Sequence, residues 1–193
     1  MGIKRKILKI AGEIATHRYP MWLIYKPHKY AVKGEDQRKI LDVLQCGHVL
    51  LRYMGPYISS RIIPGFWSHV GLYVGDNKVV HAIASGVVEE DILSFLRADA
   101  ISVIDPKVSS GTKKIAANNA RAMAKIGIKY DYDFADDNGK VYCTEGVSDW
   151  LGSLYKDDYV DGVKKHPVLL PDGIANSKNS NAVLEVGDFS HRK

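Results

Sequence analysis

The sequence is poor in cysteine, with only Cys46 and Cys143 among its 193 residues. Two cysteines cannot form the disulfide framework on which small secreted domains depend. This scarcity excludes the class of disulfide-stapled secreted scaffolds. We therefore expect free thiols and a reducing compartment.

Long apolar runs are also missing. The longest stretches, such as 79–84 and 168–170, fall far short of the roughly 20 residues that a membrane-spanning helix needs. The N-terminus lacks an uninterrupted apolar segment followed by a small-residue cleavage site. We expect neither a transmembrane segment nor a signal peptide. The prediction is a cytoplasmic protein, with peripheral attachment to a membrane left open.

Positive charge is concentrated at the N-terminus. Residues 1–40 carry ten basic and three acidic residues, a net charge of +7, whereas the rest of the chain carries −2. Apolar residues from Ile3 to Ile14 recur at spacings of three and four, which predicts a cationic amphipathic helix. Residues 1–16 could bind an anionic membrane surface, or the helix could pack on its own domain. No nucleic-acid module accompanies the charge, so we expect no nucleic-acid partner.

The clearest local signal is a pair of alternating runs, 69–75 and 78–83, around a Gly-Asp-Asn turn. Such a pattern is typical of a β-hairpin. With a loop of odd length, His81 lies opposite Gly71 and diagonally from His69 on the same face. An even loop would separate the two histidines across the sheet.

Cys143 lies at the start of a predicted helix in Tyr142-Cys143-Thr144-Glu145. The partial positive charge of a helix N-terminus favours a thiolate there. A cysteine nucleophile needs a base, and His69 and His81 are the candidates. The alternative is a small buried cysteine with hydrogen-bonded structural histidines.

Cys143, His69 and His81 could instead form a zinc site. The sequence has no CxxC or HExxH spacing, and zinc would need a fourth ligand. We therefore predict no metal and no cofactor. We expect the Glu145 carboxylate only to interact with the positive end of the helix dipole, without a catalytic role.

Three segments resemble a known family: Ser68-His69-Val70-Gly71-Leu72-Tyr73-Val74-Gly75 with His81, Gly127-Ile128-Lys129-Tyr130-Asp131, and Tyr142-Cys143-Thr144-Glu145. The chain is similar to the circularly permuted branch of the NlpC-type papain-like cysteine peptidases, which includes proteins like lecithin:retinol acyltransferase. The resemblance runs from about 44 to 171 and includes Leu170-Pro171-Asp172. The histidines precede the cysteine, as they do in permuted members.

The resemblance implies that Cys143 is the nucleophile, His69 the base and then the acid, and His81 the residue that orients His69. The expected reaction is hydrolysis of an amide bond, in a peptide or a cell-wall-type peptide, through an acyl-enzyme. A lipid acyl hydrolase or transferase acting at a membrane surface is the alternative, and a non-catalytic binding module is the second. The candidate residues for the substrate cleft are His48, Tyr53, Trp67 and Tyr142.

The predicted fold class is α+β: a permuted papain-like domain whose antiparallel sheet packs against the cysteine helix. We expect a basic amphipathic helical segment over 1–40, the catalytic domain over 41–175 and a C-terminal tail over 176–193. The apolar loop before His69, which includes Trp67, could cover an apolar substrate cleft, or its side chains could pack on the sheet.

Overall fold

The computed structural model describes residues 14–18, 21–25, 28–55, 60, 63–134, 139–161 and 167–192. The strands are β1 (Ile14–Arg18), β2 (Met21–Tyr25), β3 (Val49–Tyr53), β4 (His69–Gly75), β5 (Lys78–Ile83), β6 (Gly86–Asp91), β7 (Ala100–Pro106), β8 (Val160–Asp161), β9 (Pro167–Val168) and β10 (Ser180–Gly187). The helices are α1 (Gly34–Val43), α2 (Ile92–Phe95), α3 (Ser110–Ile126), α4 (Cys143–Trp150) and α5 (Pro171–Asn176), with a 3₁₀ turn at Lys156–Asp158. None of the described helices combines the length and apolar character needed to cross a bilayer.

A six-stranded sheet with the order β10-β7-β3-β4-β5-β6 forms the centre of the fold. All its pairings are antiparallel. Helices α3 and α4 both pack on β4 and β5. The predicted α+β class, with the cysteine helix against an antiparallel sheet, is confirmed.

The sheet buries both of its faces, because successive side chains of a strand point to opposite sides. On one face, Val70, Leu72 and Val80 join a core cluster that includes residues of α3 and α4. On the other face, Leu50 and Val79 pack in a second cluster with Phe95 of α2. The central strands therefore have a helix-covered side and a side that faces α2.

Helix α3 shows how closely local signals set the element boundaries. Its N-cap is Ser109, whose hydroxyl accepts a hydrogen bond from the Thr112 backbone N–H at 3.1 Å. At the other end Gly127 adopts the left-handed conformation, with φ of 70°, as expected for a helix C-terminus.

The N-terminal segment differs from the helical description given to residues 1–40. Residues 14–18 and 21–25 form the antiparallel pair β1–β2 instead of continuing a helix. Pro20 cannot donate a helical hydrogen bond, and the segment is rich in Ile, Thr, Trp and Tyr, which favour strands. The predicted helix from Ile3 lies outside the described residues up to position 13.

The C-terminal segment is also more ordered than the tail predicted for 176–193. Strand β10 pairs with β7 along its length, with a register shift between Ala182 and Leu184. Leu184 and Val186 are two residues apart, so both side chains reach the second core cluster. The segment thus packs on the sheet with one side of the strand.

Candidate active site

The hairpin β4–β5 brings His69 and His81 to one face of the sheet. Its turn has two residues, Asp76 and Asn77, with φ of 53° and 56°, as in a type I′ turn. The pairing then shifts between Tyr73 and Gly75, so that Val74 is an extra residue in β4. Beyond this bulge the register places the residue at 81 opposite the residue at 71.

The two imidazoles are in direct contact. Nε2 of His69 lies 2.7 Å from Nδ1 of His81. The Phe95 ring packs beside both, at centroid distances of 6.0 Å from His69 and 5.2 Å from His81. This close packing requires Gly71 between the histidines, because a Cβ there would lie 3.0 Å from the Phe95 ring.

Burial and a neighbouring cation lower the pKa of both histidines. Burial lowers the pKa of His69 well below its ordinary value, and the Arg52 guanidinium lowers it further. Arg52 is the cross-strand partner of His69. Burial also lowers the pKa of His81. Both rings are therefore neutral at pH 7, the state in which an imidazole can accept a proton.

Cys143 is the first residue of α4, as the sequence predicted. The Glu145 carboxylate accepts a hydrogen bond from the Tyr142 N–H at 3.2 Å, the capping role expected for it. Burial raises the pKa of the Cys143 thiol to about 11, although the backbone N–H groups of Val70, Thr144 and Cys143 itself favour the thiolate. Burial therefore outweighs the helix-start effect, and the resting sulfur is a thiol.

Cys143 begins a helix that packs on β4, the strand that carries His69. Its core neighbours include Val70 on the helix-covered face. Val70, whose backbone amide faces the sulfur, is the residue next to His69 in the chain. Among the described residues, no hydrogen bond joins the sulfur to an imidazole. We expect both rings to share a cleft with Cys143, with the His69 ring near the sulfur; the structure shows the two imidazoles in contact with each other, and the approach of the sulfur stays a prediction.

The loop before β4 is held by Asp172 at the start of α5. Its carboxylate accepts hydrogen bonds from the backbone N–H groups of Phe66 at 3.1 Å and Trp67 at 2.8 Å. Gly65 has φ of 101°, and a Cβ there would collide with the Asp172 carboxylate. The carboxylate thus fixes the chain immediately before Ser68 and His69.

A family model matches the chain and identifies its family. The model described as "Permuted papain-like amidase enzyme, YaeF/YiiX, C92 family" matches residues 43–183, most of the chain. The chain belongs to this family. It is therefore a cysteine hydrolase of the amidase or peptidase type, as predicted, and its papain-like fold is circularly permuted.

A solved structure agrees with this fold. The metalloprotein yiiX from Escherichia coli O157:H7 matches with a TM-score of 0.60 and 16% identity, over 75% of this chain and 98% of its own. At this identity the likeness concerns the fold. No curated protein matches the chain. Within the described ranges of this amidase, no three His, Cys, Asp or Glu residues are grouped as a metal site would require.

Two of the cleft candidates lie near the start of β4. Tyr53 is half-buried, stacks on Phe66 with ring centroids 4.6 Å apart, and lines a cavity of about 1090 Å³. Trp67 is buried in the core cluster of the helix-covered face. It therefore packs on the sheet, which is the second of the two readings given for its loop.

The other two candidates have structural contacts away from the histidine pair. The buried His48 precedes β3, and its Nδ1 accepts a hydrogen bond from the Gln45 N–H at 3.3 Å. It is four residues from Arg52, roughly 13 Å along an extended strand. The Tyr142 hydroxyl accepts a hydrogen bond from the Leu169 N–H at 3.1 Å and ties that segment to the start of α4.

Three residues near the site were not identified from the sequence: Arg52, Glu90 and Asp172. Arg52 and Glu90 lie on strands that flank the hairpin, and strand parity places both on the histidine face. That parity could have been read from the predicted strands. Asp172 was noticed only as part of a motif, because nothing local predicts that its carboxylate reaches a loop more than a hundred residues earlier.

Proposed function

We propose that this amidase hydrolyses amide bonds in peptides or cell-wall-type peptides, with Cys143 as nucleophile, His69 as base and His81 as the residue that orients His69. The 2.7 Å contact between the two imidazoles carries the proposal. This contact fixes the orientation of the His69 ring, which is the role proposed for His81.

The proposed reaction starts from a thiol and a neutral imidazole. His69 accepts the Cys143 proton as the sulfur attacks the amide carbonyl, and the imidazolium then protonates the leaving amine. Water hydrolyses the resulting thioester. The sulfur and the imidazole must come within hydrogen-bond reach when substrate binds, a tightening that is common in cysteine and serine sites. Backbone N–H groups at the start of α4 are positioned to stabilise the oxyanion.

The cavity beside Tyr53 supports a polar substrate. Its lining combines residues 28–31, the end of β3, the loop that leads to β4 and C-terminal residues up to Arg192; Cys143, His69 and His81 are not among the described residues that line it. The wall includes charged residues of both signs, among them Lys29, Asp99 and Arg192. A cavity for an acyl chain would be lined mainly by apolar side chains. A substrate that entered through this cavity would be a peptide rather than a lipid.

Turnover of three fluorogenic substrates tests the proposal: a peptide amide, a γ-glutamyl amide and a medium-chain acyl ester. We expect hydrolysis of one of the two amides, with loss of that activity in Cys143→Ala and in His69→Ala. Preferential turnover of the acyl ester would support a lipid substrate instead. Full amidase activity in Cys143→Ala would refute the assignment of Cys143 as the nucleophile.

Binding of residues 1–16 to an anionic membrane surface remains a prediction, tested by sedimentation of the protein with anionic vesicles.

A further inference from the structure

Glu90 lies on the far side of the histidine pair from Arg52. Val88 in β6 is the cross-strand partner of His81. Glu90 is two positions beyond Val88, so it lies diagonally from His81 on the same face of the sheet. Its Oε2 atom is 3.2 Å from Nε2 of His81, the ring nitrogen that does not contact His69. The three side chains thus form a row: His69, His81, Glu90.

His81 Nε2 is buried and makes no other hydrogen bond among the described residues. The Glu90 oxygen is within hydrogen-bond distance but lies off the direction of an N–H on this nitrogen. A small rotation of the carboxylate completes the bond. Glu90 is on an edge strand and its side chain is about one-third exposed, so it has room to rotate.

The order of donors in this row follows from the chemistry of a carboxylate. An ionised carboxylate only accepts, so the proton on neutral His81 must be on Nε2. Nδ1 of His81 then has a lone pair, and His69 must donate to it from Nε2. Neutral His69 has one ring proton, so its Nδ1 has the free lone pair.

We propose that Glu90 is a positioning residue of the active site, which fixes the tautomers of His81 and His69 so that Nδ1 of His69 is the basic atom. This inference rests on the proposed role of His69 as the base. It adds a fourth member to the proposed Cys143, His69 and His81 set. The same row stabilises the imidazolium that forms when His69 accepts the thiol proton.

The charges around the pair agree with this role. The nearby His81 ring, with Nε2 at 3.2 Å, lowers the pKa of Glu90, and the carboxylate is ionised at neutral pH. Glu90 in turn raises the pKa of His81, against the effects of burial and of the Arg52 guanidinium. Arg52 on β3 and Glu90 on β6 thus have opposite effects on the pKa of His81. Helix α2 contributes only the uncharged Phe95 ring to the surroundings of the two histidines.

The test uses the full chain with Glu90→Gln and Glu90→Ala, and Glu89→Gln as the matched control. Glu89 is the preceding residue on the opposite face, and its Oε2 lies 3.3 Å from Nε of Arg121. Long-range ¹H–¹⁵N NMR spectra of the histidine rings report tautomer and titration directly, without a substrate. The pH profile of amide hydrolysis is measured alongside.

We expect Nε2–H tautomers for both histidines in the wild type and in Glu89→Gln. Glu90→Ala should give mixed tautomers and lower kcat/KM by about tenfold, the effect of losing one charged hydrogen-bond partner. Glu90→Gln, which keeps an acceptor, should keep the tautomers but titrate at lower pH, with the acid limb of the profile shifted the same way. Wild-type spectra and titrations in both Glu90 variants would overturn the inference even where His69→Ala is inactive. If Cys143→Ala keeps its activity, the proposed mechanism fails while the NMR result still decides the tautomers.

Discussion

His69 and His81 are in contact, Nε2 to Nδ1 at 2.7 Å, although a two-residue turn joins their strands. In a regular hairpin closed by Asp76 and Asn77, His81 would lie opposite Leu72 and so on the face away from His69. The extra residue Val74 shifts the register by one position and restores the common face. The bulge is therefore a condition for this active-site geometry.

The first prediction concerns the two cysteines. Cys143→Ala should lower amide hydrolysis by about a thousandfold or more while the protein still folds, because only Cys143 lies at a helix start beside β4. Cys46→Ala should keep nearly full activity. Circular dichroism melts serve as the control for folding. Equal losses in the two variants would contradict the assignment of the nucleophile.

The second prediction ranks the histidines. His69→Ala should be more damaging than His81→Asn or His81→Gln, because the amide variants retain a side-chain acceptor for His69 Nε2, whereas alanine at 69 removes the base. The measurement is kcat/KM on the same amide substrate. A reversed order would mean that His81 is the base.

Much of the central fold could be predicted because its signals are local. Strand β3, both hairpin strands, the Gly127 cap and the helix start at Cys143 follow from alternation, turn residues and propensity. The common face of the two histidines was predicted only for a loop of odd length; the turn has two residues, and the bulge in β4 supplies the extra position. Sequence alternation does not report a bulge, because one extra residue leaves the pattern on each strand intact.

The parts that could not be predicted depend on distant contacts. Strand β10 joins the sheet because β7 offers a free edge, and the hydrogen bonds of Asp172 connect α5 to the loop before β4. The high pKa of Cys143 has a similar origin. A helix start favours a thiolate, but the surrounding core residues, which come from several elements, decide that the thiol stays protonated.

The third prediction is a loss of stability on acidification. The folded state keeps His69 neutral, since burial holds its pKa well below the ordinary value, whereas the unfolded chain takes up a proton near pH 6.5. Unfolding therefore binds a proton, and the free energy of unfolding should fall as the pH drops below about 6.5, by up to about 1.4 kcal/mol per pH unit. Urea melts from pH 7.5 to 5 measure this. His69→Asn should flatten the curve, and an unchanged slope would contradict the pKa direction.

The fourth prediction applies the same linkage to Cys143 with the opposite sign. The unfolded thiol loses its proton near pH 8.5, but the folded one keeps it up to about pH 11. Stability should therefore fall as the pH rises from about 8.5 toward 11, and Cys143→Ala should remove that part of the loss. Alkylation by iodoacetamide, followed by mass spectrometry of the Cys143 peptide, should be slow at pH 7 and accelerate across this range. A rate plateau already reached at pH 7 would indicate a preformed thiolate.

The last prediction concerns the contact between Asp172 and the loop before β4. Asp172→Ala leaves the N–H groups of Phe66 and Trp67 without their acceptor, which should cost about 2 to 4 kcal/mol of unfolding free energy. Gly65→Ala should also destabilise, because its Cβ collides with the Asp172 carboxylate and its φ is 101°.

The double variant Gly65→Ala/Asp172→Ala separates collision from strain. Removing the carboxylate removes the collision, so the double variant should lose less stability than the two single variants added together. Gly127→Ala is the control for strain alone, because its φ is 70° and no atom lies within 4 Å of the added Cβ. Additive losses in the cycle, measured by urea unfolding, would show that Gly65 and Asp172 act independently and that the carboxylate does not hold the loop.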